Sequence, residues 1–343
     1  MQPVVYILIL NWNGWGDTLE CLESVFRLDY PNFRVIVCDN ASSDESLSHI
    51  KAWAEGRLDV AKERGGLLRD LSYPPVAKPI PYVEYDRATA EAGGRTADGD
   101  ARLVLIRTGA NLGYGAGNNV GLRYALARGD FQYVWLLNND TVVKAGALGA
   151  MVEQCRRVPA AGMCGSVIYL FDEPDKISCV GGGSLQGWLK ATRSLTDFAA
   201  ANESFASADG SRAPVYVTGA SLLVRSDVLR DIGLVPGGYF LYFEDTEWAI
   251  LALRKGYALT YAPDSVVYHR VSASSGGGGT PLLDYYYARN RLLFAARMFP
   301  LTLPAVAAVL ARNILVRLVR GEWRRLGMAV RMMLGRHSGN ARS

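Results

Sequence analysis

Four runs rich in β-branched and aliphatic residues, Val4–Leu10, Arg34–Cys38, Leu103–Arg107 and Tyr133–Leu137, are separated by stretches of helical character. Strands alternating with helices commit a chain to βαβ units, because neighbouring parallel strands can be joined only by a crossover. The expected fold class is therefore α/β, with a Rossmann-like, mainly parallel central sheet flanked by helices. The first helix carries a start signal, with Asp17 as N-cap and Glu20 three residues on, ahead of Leu19, Leu22 and Val25. With 343 residues, half of them hydrophobic, the chain can build one large core, or a core and an appendage.

In such a sheet the loops after the strands share one edge, where open α/β sheets bind ligands. Four polar segments fall there: NWNGWG with Asn11 and Asn13, CDNASSDES with Asp39 and Asp44, TGANLGYGAGNNVG with Asn111, Gly113 and Asn118, and the triplet Asn138-Asn139-Asp140. That triplet interrupts YVWLLNNDTVV, an apolar run suited to a core strand, so it marks a turn or a site. Asp39 and Asp44 could accept hydrogen bonds from a nucleobase or ribose, although the same residue types favour tight turns for backbone reasons. The glycine-rich segment departs from a dinucleotide fingerprint, with three residues before the last glycine, Gly121, and no acid at the expected place. A glycine-lined loop feeding a helix at Asn119–Arg128 could still bring backbone close to a phosphate or sugar.

Further along, GGYFLYFEDTEWAI sets Glu244 and Asp245 directly after an aromatic run, with Glu247 nearby. Buried adjacent carboxylates are costly without partners, which suits either a reactive pair or an acid-rich helix start. His269 closes the β-rich run YAPDSVVYH, and with Asp140 would offer nitrogen and oxygen to a divalent ion such as Mn²⁺ or Mg²⁺. Residues 51–101 show little periodicity and are expected to leave the sheet. Ser272–Pro281, SASSGGGGTP, is expected to be a mobile loop.

Five scattered cysteines without a CxxC pair argue against a disulfide framework or a zinc site and point to a reducing compartment. The N-terminus lacks a basic leader and is expected to form a buried strand. The apolar run Phe299–Ala311 is shorter than the roughly 20 residues of a spanning helix. The net charge of +4 is unevenly placed: residues 312–343 hold eight arginines and one acid, net +7, which leaves −3 for the rest. Leu315, Val319, Trp323, Leu326, Val330 and Met333 recur there at helical spacing. Such a helix suits either an anionic membrane surface or packing on the body. No groove-reading or stacking motif accompanies the charge, so nucleic acid is not an expected partner.

The segments ILNWNGWGDTLECLESV, VCDNASSDES, NLGYGAGNNVGLRYAL, WLLNNDTVV, YFLYFEDTEWAILALRKGY, YAPDSVVYH and YYYARNRLLF, taken together and in order, span most of residues 4–294. The constellation resembles the inverting glycosyltransferases of family 2, with the GT-A fold, particularly the bacterial rhamnosyl- and galactofuranosyl-type members. The resemblance implies a catalytic domain over 1–295, with an insertion at about 51–102, and a basic helical tail over 296–343. It implies a nucleotide-sugar donor, UDP- or dTDP-linked, a glycan or lipid-linked acceptor, and a cytoplasmic enzyme, peripheral on the inner face of the membrane. Asn138-Asn139-Asp140 occupies the place of the family's DXD-type motif, so Asp140 would help hold a divalent cation and His269 would complete that site. Asp39 would contact the nucleobase, with Asn11, Asn13, Asp44, Asn111 and Gly113 near the nucleotide. Asp245 would take the proton from the acceptor hydroxyl, with Glu244 beside it, and Arg289-Asn290 would face the diphosphate. Two positions depart from the pattern. Asn138 replaces the first acid of the metal motif, and Leu251 stands where an arginine is usual, with Glu247 for the second aspartate of the acidic motif.

Overall fold

A computed structural model describes residues 2–59, 68–99, 101–206, 215–270, 281–319 and 321. The strands in chain order are β1 (Val5–Asn11), β2 (Phe33–Asp39), β3 (Tyr82–Asp86), β4 (Leu103–Arg107), β5 (Tyr133–Asn138), β6 (Thr141–Val143), β7 (Ala161–Leu170), β8 (Ile177–Val180), β9 (Gly182–Gln186), β10 (Ala191–Ser194), β11 (Val215–Val217), β12 (Ser221–Arg225) and β13 (Ala258–His269). Ten of them make one sheet in the order β3-β4-β2-β1-β5-β12-β7-β13-β6, with β8 attached to β7. Every pairing from β3 to β5 is parallel, and antiparallel neighbours enter with β12. A small antiparallel sheet, β10-β9-β11, lies apart. The class is α/β and mainly parallel, as the alternation of strand and helix patterns predicts.

Alternation along β1 divides the core. Val5, Ile7 and Ile9 pack with Leu19, Leu22, Ile50 and Trp53 on one face, and Tyr6 and Leu8 pack with Val120, Tyr124 and Trp248 on the other. Successive strand residues point to opposite faces, and helices cover both. The glycine-rich segment is helical from Gly113 to Arg128, an earlier start than the predicted Asn119. Its glycines let this helix lie close to the sheet: a Cβ at Gly121 would stand 2.0 Å from Leu8 Cδ1, and one at Gly117 2.7 Å from Leu10 Cδ1. Close packing on the sheet accounts for Gly117 and Gly121.

Two further expectations change. The first helix begins at Trp15 after Gly14, so Asp17 lies inside the first turn rather than at the cap, and its carboxylate turns to Arg270. Residues 51–101 are not wholly outside the sheet, because β3 pairs with β4 at its edge through Tyr82↔Leu103 to Asp86↔Arg107. The helix Leu303–Val319 carries Leu315 and Val319. The rest of the expected amphipathic face, from Trp323 on, and most of the glycine loop Ser272–Pro281 lie outside the described residues. No described helix is long and apolar enough to cross a membrane.

Candidate active site

The rim is built by register. Parallel pairing of β1 with β2 sets Asn11 beside Asp39, and pairing with β5 sets Leu10 beside Asn138. Asn11 is fully buried; its Nδ2 donates to Asp39 Oδ1 at 2.9 Å and to Ser42 Oγ at 3.1 Å, and its Oδ1 accepts from Thr18 Oγ1 at 2.8 Å. Asn139 Nδ2 donates to Thr18 Oγ1 at 3.1 Å. Asn13, at φ 51°, accepts from Ser43 N at 2.7 Å, so the loops after β1 and β2 lock to each other. Asp44 accepts from the backbone and hydroxyl of Ser46, which is the turn role its residue type favours.

Asn40 ties the next loop to this rim. Almost fully buried, it accepts from Leu112 N at 3.1 Å and Thr108 Oγ1 at 3.2 Å, and donates to Asn111 Oδ1 at 3.0 Å. Gly113 follows with φ +78°, and a Cβ there would lie 2.4 Å from the Phe240 carbonyl oxygen. That approach lets Tyr114 N donate to the same carbonyl at 2.8 Å. Only a residue without a side chain meets both demands.

The interruption of the apolar run at Asn138-Asn139-Asp140 is the hinge between β5, inside the sheet, and β6, on its far edge. Strand β6 pairs antiparallel with β13, with Thr141 opposite His269, and this register brings Asp140 and His269 together across 129 residues of chain. Asp140 Oδ1 lies 3.0 Å from His269 Nε2, and Asn138 Nδ2 lies 3.3 Å from the same nitrogen. Asp140 is 7% exposed, and its Oδ1 is buried without a hydrogen-bond partner. A divalent cation fits this pair. Ligand atoms at adjacent corners of an octahedron with bonds of about 2.1 Å stand about 3 Å apart, and the imidazole nitrogen beside the carboxylate oxygen favours a transition ion such as Mn²⁺ over Mg²⁺, which prefers oxygen alone. Among the described residues no cluster of three or more acidic, histidine or cysteine side chains forms. A cation held by this pair would draw most of its coordination shell from outside these two side chains. Arg270, next in the chain, pairs with Asp17 and Glu20 of the first helix and donates its backbone N–H to the Asp140 carbonyl at 2.9 Å.

The acidic pair is tied to this rim through the turn at Gly219-Ala220, whose Ala220 carbonyl accepts from Asn138 N at 3.1 Å. The helix Glu244–Arg254 starts after Tyr242 and Phe243, both left-handed at φ 72° and 75°, a strain of order 1–3 kcal/mol each. Asn290, fully buried, holds that turn by donating to the Leu241 carbonyl at 2.6 Å and to the Tyr242 carbonyl, while Arg289 donates to the Gly238 carbonyl at 3.0 Å. Both side chains brace the loop that carries the acids. Asp245 accepts from Gly219 N at 2.9 Å, Thr246 N at 2.6 Å and Thr246 Oγ1 at 3.1 Å. Burial raises its pKa against those donors. Glu244 has a buried Oε2 without a partner, and burial with the charge of Asp245 pushes it up to about 8. Glu247 accepts from Tyr239 OH and lies 3.7 Å from Arg297, a structural role.

Tyr114 joins the two halves. Its phenol donates to the Gly219 carbonyl at 2.6 Å, and besides burial, the charges of Asp245, Glu244 and Asp140 all push its pKa up. The structure thus gathers Asn11, Asp39, Asn138, Asn139, Asp140, His269, Glu244 and Asp245 on one rim. It adds Asn40, Tyr114 and Gly219, which sequence reasoning passed over. Asn40 and Tyr114 were hidden inside segments already quoted, and Gly219 carried no signal because its role is a backbone N–H.

A sequence profile described as "Glycosyltransferase like family 2" matches residues 84–278, and one described as "Glycosyl transferase family 2" matches residues 6–67. The chain belongs to glycosyltransferase family 2. An N-acetylglucosaminyl-diphospho-decaprenol L-rhamnosyltransferase, found in two strains of Mycobacterium tuberculosis, is 24% identical to this family 2 glycosyltransferase over 205 residues, 56% of the chain and 67% of the relative. Among solved structures, a mannosyltransferase from Pyrobaculum calidifontis in complex with GDP-Man and Mn²⁺ superposes with TM-score 0.54 at 17% identity, covering 97% of this chain and 81% of that one. GalNAc-T7 with UDP, GalNAc and Mn²⁺ superposes with TM-score 0.52 at 13% identity, over 78% of this chain and 44% of that one. The family 2 transferase has the GT-A fold.

Proposed function

We propose that the chain transfers a sugar, with inversion, from a UDP- or dTDP-linked donor to a hydroxyl of a glycan or lipid-linked acceptor in cell-surface polysaccharide synthesis. Rhamnose or galactofuranose is the sugar this reading favours, the first supported by the mycobacterial relative. The observation that carries the reading is the buried Asp140 Oδ1, which makes no hydrogen bond and faces His269 Nε2 at 3.0 Å, on the same rim as the acidic pair.

In this reading the interlocked loops of Asn11, Asn13, Asp39, Asn40 and Asn111 form the nucleoside side of the site. A divalent cation on Asp140 and His269 would neutralise charge developing on the departing nucleotide diphosphate. Asp245 accepts the acceptor's proton, its carboxylate aimed by Gly219 and Thr246. Glu244, with its pKa at about 8, stays protonated at neutral pH, so the pair divides into one neutral acid and one base. An attack on the anomeric carbon opposite the diphosphate inverts it through an oxocarbenium-like state. Residues 1–295 act as the catalytic domain, and the basic residues of 296–343 favour the inner face of an anionic membrane.

Calorimetry of UDP, dTDP and GDP, each with and without Mn²⁺, tests the donor side. Metal-dependent binding of one pyrimidine diphosphate, lost in Asp140→Ala, is the expected result. Binding that ignores both the metal and the substitution would overturn it.

A further inference from the structure

The small sheet ends in a hairpin whose tip, Gly187-Trp188-Leu189-Lys190, stands out from the body. Trp188 is 69% exposed and Leu189 is exposed beside it. The tip is nevertheless fixed: Arg291 donates to the Leu189 carbonyl from Nε at 2.9 Å, and Lys190 Nζ lies 4.4 Å from the centre of the Phe299 ring. Two residues beyond Phe299, in the turn Pro300–Thr302, Leu301 is 86% exposed. Trp188, Leu189 and Leu301 therefore flank one contact. Arg254, whose guanidinium also lies over Phe299, and Lys190 border it, and neither is in an ion pair among the described residues.

We propose that this hairpin tip and turn form a docking patch for an anionic bilayer surface. Indole and leucine beside unneutralised cations are the composition of a membrane-interface site, where the rings enter the headgroup level and the cations meet lipid phosphates. A protein partner would leave Lys190 and Arg254 needing acids, whereas an anionic leaflet supplies negative charge over the whole patch. Position supports the same occupant. At the base of the hairpin Gly183 pairs with Tyr216, and three residues on from Tyr216 the Gly219 N–H donates to Asp245 Oδ2 at 2.9 Å. Five residues at about 3.3 Å each place the tip about 16 Å from that base. This extends the proposed reading by giving a lipid-linked acceptor a short path from the leaflet to Asp245, and it rests on that reading only for the acceptor.

Flotation of the full chain with phosphatidylcholine vesicles, and with vesicles carrying phosphatidylglycerol, tests the patch. The native protein is expected to partition onto the anionic vesicles, and the Trp188→Ser/Leu301→Ser double variant to partition at least tenfold less. Lys190→Glu is expected to weaken binding to anionic vesicles only. Mn²⁺-dependent nucleotide binding, measured in parallel, shows that the variants are folded, and its failure in the native protein would count against the donor reading without touching the patch. Unchanged partitioning of the double variant overturns the proposal. So does native protein that ignores anionic vesicles, or a native dimer that the double variant converts to monomer while vesicle binding persists.

Discussion

Replacing Glu244 by glutamine should stabilise the protein at neutral pH, although it deletes a carboxylate from the centre of the site. The side chain is buried and Asp245 adjoins it, which together move its pKa from 4.5 to about 8, and one of its oxygens has no hydrogen-bond partner. A raised acid contributes stability that is full below its unfolded value and lost as pH rises through the folded one. Below pH 4.5 the carboxyl is protonated in both states and costs nothing. Above it the unfolded chain releases the proton while the folded chain keeps it, so stability falls with pH until about 8. At 1.36 kcal/mol per unit this amounts to about 3 kcal/mol at pH 7. Glutamine, close in shape to the protonated acid, does not titrate and escapes that loss. Urea unfolding at pH 4.5, 7 and 8.5 should therefore show E244Q and the native protein together at the lowest pH and about 3 kcal/mol apart at pH 7, with the variant more stable. Transfer at pH 7 should change by less than tenfold, because Glu244 is protonated there and glutamine keeps its shape and charge. A constant offset at all three pH values, or a variant less stable at pH 7, would refute the argument.

Asp245→Asn should lower the rate of transfer by about 10²–10⁴ with donor binding kept, as measured by kcat beside calorimetry. His269→Ala should weaken Mn²⁺ binding in the presence of nucleoside diphosphate, followed by the electron-spin signal of the free ion. Arg270→Ala, which removes the cation between Asp17 and Glu20, should cost about tenfold to a hundredfold in the same metal titration, with partial recovery in Arg270→Lys. Gly121→Ala should destabilise by about 1–3 kcal/mol in urea, because a Cβ 2.0 Å from Leu8 Cδ1 overpacks a closed core and outweighs the helix propensity gained.

Much of this was legible in the sequence, because apolar patterning reports on burial. The strands expected at Arg34–Cys38, Leu103–Arg107 and Tyr133–Leu137 match β2, β4 and β5 to within a residue at each end. The polar triplet at the tip of β5 fell at the rim for the same reason. Long-range partnership was not legible. Asp17 has the residue type and spacing of a cap, yet its carboxylate serves Arg270 from 253 positions away. The glycines of 113–121 suggested a loop because composition does not tell a glycine needed for φ from one needed for closeness, and here Gly113 is the first and Gly121 the second. Asn290 carries the same ambiguity, since an amide that braces a strained turn and one that binds substrate look alike in a string of letters.

The pairing of Thr141 with His269 has a consequence for how the enzyme matures. Sheet side chains alternate, so a slip of one residue between β6 and β13 would turn the imidazole to the opposite face and leave Asp140 alone. Strand β6 has three residues, lies at the margin of the sheet and meets its partner only after the chain has been synthesised as far as His269. On the proposed reading, the capacity to hold a divalent ion is thus a late property, gained when the outermost ladder closes in the correct frame. In a refolding experiment the ion should be ignored by every intermediate that lacks this ladder. Its capture would then time the completion of the sheet.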